Sequence, residues 1–297
     1  MPRPSVFRRL VRFQNAGGET RYGELPPDAA TEDTLTGVEV DVYDGDEPWS
    51  LVETSEKDTI KQRVPIYICV GMNYKSHIEE TKFPVPQYPI LFNKPSAALA
   101  GPEEDIAVHP KATLMDYEVW TYQLRDLLRA RVSDPPVQGE LCVIIGKDCK
   151  DLTEEDDIED FVLGYTVGND VTSRFWQLKP QSGDQAGYSK SFDKFAPIGP
   201  IICSPSQIPD PSQLTLATWV NGEERQRSKI SDLLFSVKEL IKFCSVGHTI
   251  ERGTVIMTGT PSGVGALMEP SAWLKHGDVV EVNIDGIGTL KNRIVVQ

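Results

Sequence analysis

Histidine is scarce in this chain: His77, His109, His248 and His276 are all there are in 297 residues. A Ser-His-Asp triad or a zinc centre therefore has little raw material. Other signatures are missing as well. There is no G-x-G-x-x-G, no phosphate-binding loop, no G-x-S-x-G elbow and no H-E-x-x-H, so the chemistries tied to those motifs lose their sequence support. No run approaches the roughly 20 apolar residues of a membrane span. The five cysteines (Cys69, Cys142, Cys149, Cys203, Cys244) are odd in number and form no C-x-x-C pair. Buried, reduced thiols are expected from them rather than a disulfide framework or a zinc site. Cys149, between Asp148 and Lys150, is expected to be the exposed one. Positive charge is short too: 30 Lys and Arg face 44 Asp and Glu, a net charge of −14. Such a chain repels nucleic acid and anionic membrane, so neither is an expected partner.

What remains is an ordinary globular composition, 39% hydrophobic and 25% charged, long enough to bury a sizeable core. The opening MPRPSVFRRLVRFQN is basic but lacks the apolar centre of a secretory signal. It reads as a strand or as a mitochondrial address, with the cytosol as the default. Residues 1–64 are polar and turn-rich and read as a small N-terminal β-rich domain; 65–297 read as the main domain. In the latter, short apolar runs bounded by Gly and Pro recur: IYICVG, PILFNK, ELCVIIG, TVIMTGT and DVVEVNI. These are strand signals, and the last leads through Asp285-Gly286 into GTLKNRIVV as a hairpin. Helices are expected over KSHIEE, over TEEDDIEDFVLG capped by Thr153, and over SDLLFSVKELIKFCSVG capped by Ser231. Strands outnumber helices and do not alternate with them, which predicts a strand-rich α+β fold rather than a Rossmann or TIM arrangement.

Carboxylates at strand ends carry the candidate chemistry. MDYE ends at Glu118, and GELCVIIGK offers Glu140 at the mouth of an apolar strand. In GYTVGNDVTSR, Asp170 ends an apolar run and Arg174 follows. In GMNYKSHIEE, His77 and Glu80 stand three apart, so a helix brings them to one face. Each signal alone has an ordinary reading, a solvated loop charge or a surface contact. Carboxylates embedded in apolar sequence, as at Glu140 and Asp170, are different, because burying an unpaired charge is costly. A hard divalent cation with oxygen ligands would offset that cost.

The ordered set GMNYKSHIEE, FNKP, DYE, GELCVIIGK, GYTVGNDVTSR, SKSFD, APIGP, VNGE and TGTPSGVG resembles the fumarylacetoacetate hydrolase family over roughly residues 65–297. The resemblance implies a mixed β-sandwich roll that dimerises and holds Mg2+ or Mn2+. Carried over by position, it implies Glu118, Glu140 and Asp170 as metal ligands and His77 with Glu80 as the dyad that activates water. It further implies Lys190 beside the metal, Arg174 and Gln177 as substrate or supporting groups, and Gly259 and Thr260 closing the pocket. The substrate class it implies is a small oxo acid. Hydrolysis of an acylpyruvate-like β-dicarbonyl acid and decarboxylation of oxaloacetate are both open, each passing through an enolate stabilised by the cation. A metal-dependent isomerase or hydratase, or a catalytically silent dimeric binding protein, are the alternatives.

One departure stands out. The two glutamates usually form E-x-E, but here 20 residues, 119–138, separate Glu118 from the Gly139-Glu140 pair. Removing them restores DYE-G-ELCVIIGK. A retained intron is one reading, since Val codons begin GT and Gln can be CAG. A surface excursion with a short helix over LRDLLRAR is the other, tolerated because long loops add little closure entropy. Either way, strand geometry alone no longer guarantees that the glutamates converge.

Overall fold

The computed structural model describes residues 7–14, 20–24, 41–44, 51–53, 64–112, 115–116, 138–177, 180–183, 185–263 and 273–297. Its strands are β1 (Arg9–Gln14), β2 (Thr20–Glu24), β3 (Asp41–Asp44), β4 (Val52–Glu53), β5 (Ile66–Gly71), β6 (Ile90–Pro95), β7 (Leu99–Ala100), β8 (Ile106–Val108) and β9 (Met115–Asp116). They continue as β10 (Gly139–Ile145), β11 (Val162–Asn169), β12 (Thr172–Ser173), β13 (Ala196–Cys203), β14 (Thr215–Val220), β15 (Glu223–Lys229), β16 (Val255–Met257), β17 (Val279–Ile284) and β18 (Gly288–Val296). The large sheet runs β4-β3-β2-β1-β13-β11-β10-β16-β5-β6, with β7 on β13, and the small one β15-β14-β17-β18-β8. This is the expected strand-rich α+β sandwich. The described N-terminal strands extend the large sheet, because β1 pairs antiparallel with β13.

Burial separates the two sheets. Every residue of β10 and β11 is buried, as continuous apolar runs covered on both faces require. Strand β17 alternates buried with half-buried, the mark of a sheet covered on one face. Leu141, Val143, Ile145 and Val167 join Leu216, Val280, Val282 and Leu290 in the core between the sheets. Residues of the opposite parity, Cys69, Cys142, Ile144 and Met257, build a second core on the outer face of the large sheet.

Two expected helices change. TEEDDIEDFVLG forms no α-helix: Thr153 N–H and Oγ1 bond the Asp156 carboxylate in a turn. Ile158–Phe161 then make one 3-10 turn, and Val162–Asn169 enter the sheet. The β-branched and aromatic residues there pack better on a pleated surface than on a helix. The later helix starts at Val237, not after Ser231. Ser236 forms a capping box with Glu239, while Asn73 takes the preceding backbone, its C=O accepting from Leu234 N–H and its Oδ1 from Phe235 N–H. The expected helix over KSHIEE is present as Lys75–Thr81. All five cysteines are buried. Cys149 is therefore not the exposed thiol expected from its charged neighbours, because its backbone pairs with Ile250 and turns the side chain inward. Among the described residues no helix is long and apolar enough to cross a membrane.

Candidate functional site

The site grows from the register of the large sheet. Glu140 pairs with Gly168, and Asp170 N–H donates to Gln138 C=O at 3.2 Å. Strand side chains alternate faces, so Glu140 and Asp170 are diagonal neighbours on one face, with backbones roughly 7–8 Å apart. A Cβ on Gly168 would strike Cys142 Sγ, which fixes that face as the one carrying Cys142. Lys94 belongs to it as well: on β6 it pairs with Tyr67 of β5, and Phe92 with Cys69.

Asp170 is completely buried between two lysines. Its Oδ1 lies 2.5 Å from Lys94 Nζ, and its Oδ2 accepts from Lys190 Nζ. Lys94 Nζ also donates to Val171 C=O at 3.0 Å and to Phe195 C=O. Lys190, from the short helix Gly187–Lys190, stands 4.5 Å above the Phe92 ring. Burial alone would push the Asp170 carboxyl up, but the charges and hydrogen bonds of Lys190 and Lys94 outweigh it and hold the group below the usual carboxylate range. Burial pulls Lys94 down, and Asp170 opposes that fall. Lys94 carried no assigned role in the sequence reading. Its signal was a lysine at an inward position of an apolar strand, just ahead of Pro95.

Glu140 is buried, and its Oε2 accepts from Gly259 N–H at 2.8 Å. Gly259 has φ +100°, and a Cβ there would sit 3.0 Å from Val70 C=O and from the Asn73 side chain, so the loop approaches β5 at a distance only glycine permits. Asn73 ties the corner together by donating to Thr258 C=O and Phe235 C=O. Thr260 Oγ1 donates to Gly139 C=O and accepts from Gln226 Nε2. The buried Gln226 also accepts from Gly139 N–H and donates to Pro261 C=O. Nothing local marks Gln226 as a site residue, since it stands in the exposed-looking run EERQRSK.

At the rim, His77 Nδ1 lies 2.9 Å from Glu80 Oε2 on the helix Lys75–Thr81. Glu80 Oε1 accepts from Gly263 N–H at 3.0 Å, joining this helix to the loop that follows Thr260. Arg174 and Gln177 are brought to each other: Arg174 Nη1 donates to Gln177 Oε1. Glu118 lies outside the described residues, and among those described no group of three or more His, Cys, Asp and Glu stands close enough to hold a metal ion.

The comparisons with known proteins agree with this architecture. A sequence model described as "Fumarylacetoacetate (FAA) hydrolase C-terminal" matches residues 67–120 and 124–295. A mitochondrial oxaloacetate tautomerase of Xenopus laevis is 38% identical over 77% of this chain and 65% of its own length. The oxaloacetate tautomerase YisK of Bacillus subtilis is 36% identical over 83% of this chain and 75% of its own. The crystal structure of 2-hydroxyhepta-2,4-diene-1,7-dioate isomerase from Mycobacterium marinum superposes with a TM-score of 0.75 at 28% identity, covering 98% of this chain and 99% of that one. The chain belongs to the fumarylacetoacetate hydrolase family.

Proposed function

We propose that this protein is an enzyme that interconverts the keto and enol forms of a small 2-oxo dicarboxylic acid such as oxaloacetate, with Mg2+ or Mn2+ as cofactor. The observation that carries the reading is Asp170, buried without solvent between Lys94 and Lys190 and on one face with Glu140. The relatives named as oxaloacetate tautomerases support the substrate class. The described residues fit a hard cation in donor chemistry: Glu140 and Asp170 are buried oxygen donors, and Lys94 and Lys190 balance their charge. Glu140 and Asp170 would hold the ion; Glu118, which the family resemblance implies as a third ligand, lies outside the described residues. When bound, the ion supplies Lewis-acid polarisation of the substrate carbonyl.

The chain's own groups do the rest. Ketonisation moves the enol O–H proton off oxygen and adds a proton at the neighbouring carbon; no water enters and no C–C bond breaks. The Glu80 carboxylate beside Nδ1 favours the tautomer protonated there, and His77 is the group assigned to move the proton at the carbon. Lys190 offers positive charge to the developing oxyanion or to a substrate carboxylate. Lys94 holds Asp170 in place. The Glu80–Gly263 bond ties the helix that carries His77 to the segment after Thr260.

The test follows enol disappearance spectroscopically in the presence of Mn2+ while pyruvate release and acylpyruvate cleavage are measured in parallel. Faster ketonisation without product of C–C cleavage is expected, and Asp170→Ala should abolish it together with Mn2+ binding. Pyruvate appearing at the same rate would instead make the protein a decarboxylase, and acylpyruvate cleavage a hydrolase. Absence of every activity with metal binding lost would leave a silent binding protein.

A further inference from the structure

The register at the start of β10 bears on the excursion at 119–138. Gly139 pairs with Asn169 and Glu140 with Gly168, and one residue earlier Asp170 N–H donates to Gln138 C=O. Removing 119–138 would join Glu118 directly to Gly139. Position 138 of this chain is the place a shortened chain would give to Glu118.

Gln138 itself is 0% exposed, and among the described residues neither its Nε2 nor its Oε1 has a hydrogen-bond partner. Its backbone is fixed at both ends: Gln138 N–H reaches Asn169 Oδ1, and the next residue is gripped by Gln226 and Thr260. Gly139 points into the core between the sheets, where a Cβ would meet Thr218, Val282 and Leu216. By alternation Gln138 points to the other face, with Glu140 and Asp170. A buried amide with no partner loses its hydration for nothing unless something else binds it.

We propose that Gln138 is a ligand-facing residue of this site, supplying a neutral amide oxygen to the cation where the chain without 119–138 would supply the carboxylate of Glu118. This rests on the metal reading given above. The excursion then sets the charge of the site, lowering it by one carboxylate at one position, and the two forms of the chain differ in cation affinity.

Mn2+ titration by calorimetry decides it, on the chain as it stands, Gln138→Glu, Gln138→Ala and the chain lacking 119–138, with melting curves to show that each is folded. Gln138→Glu and the shortened chain are expected to bind Mn2+ about tenfold or more tightly than the full chain, and Gln138→Ala more weakly. If the shortened chain does not fold, the two point variants decide. If all forms share one affinity that Asp170→Ala abolishes, the metal reading stands and the role of Gln138 is overturned. If no form binds Mn2+, both fall.

Discussion

Asp170 and Glu80 are both paired carboxylates, yet they sit in different surroundings and are suited to different work. Asp170 ends a central strand, sees no water and is held by two ammoniums. Glu80 lies on a seven-residue helix, keeps 23% of its side chain exposed and is shared between an imidazole and a backbone N–H. The first arrangement fixes charge in a low-dielectric place where it cannot easily change. The second borders solvent at Glu80 and includes an imidazole, a side chain able to give and take a proton. A site that moves protons needs both: a fixed field to stabilise the oxyanion, and a group able to give and take the proton.

The sharpest break of this contrast is Lys94→Met. It leaves a buried carboxylate with one partner fewer and should destabilise the fold by about 3–5 kcal/mol in urea unfolding. The pH dependence follows with a definite sign. Asp170 is depressed in the native state, so its contribution is complete above the ordinary carboxylate value of about 4 and is lost as pH falls through the lower native value. Without Lys94 that acid-side loss should begin at higher pH. Next comes Asn73→Ala, which removes three side-chain hydrogen bonds, one fully and two partly buried, joining the corner after β5 to Thr258 and Phe235. About 2–3 kcal/mol is expected at about 1 kcal/mol per bond. Glu80→Gln should cost less than about 1 kcal/mol in stability and lower turnover about 10²-fold, with a shifted pH profile; equal damage to stability and turnover would erase the contrast. The smallest expected effect is that of a thiol reagent at pH 8. Burial pushes Cys149 and Cys203 to about 11 and Cys244 to about 12, and raises Cys69 and Cys142 too. All five should stay unmodified until the chain is unfolded.

Much of the site could be read along the chain. His77 and Glu80 meet because helical spacing puts residues three apart on one face. Asp170 and Glu140 stood out as charges in apolar runs, and the structure buries both. The apolar runs read as strands became β5, β6, β10, β16 and β17. Arg174 and Gln177 were legible as neighbours but not as partners of each other. Lys94 and Gln226 were not legible as site residues, since nothing local says that a lysine on β6 will reach the end of β11, or a glutamine on β15 the start of β10.

Local periodicity and motif order, then, set the strand-rich class, the helix at His77 and the chemical types of the candidate residues, because those depend on contacts within a few positions. Tertiary structure alone decided the rest. It turned the end of TEEDDIEDFVLG, from Val162 on, into the start of a strand, and it buried Cys149. It chose Lys94 as the second partner of Asp170 and set Gln138 opposite that carboxylate. Those outcomes depend on register and on distances between segments far apart in sequence, where burying a charge or an amide leaves only partners that the fold itself brings near.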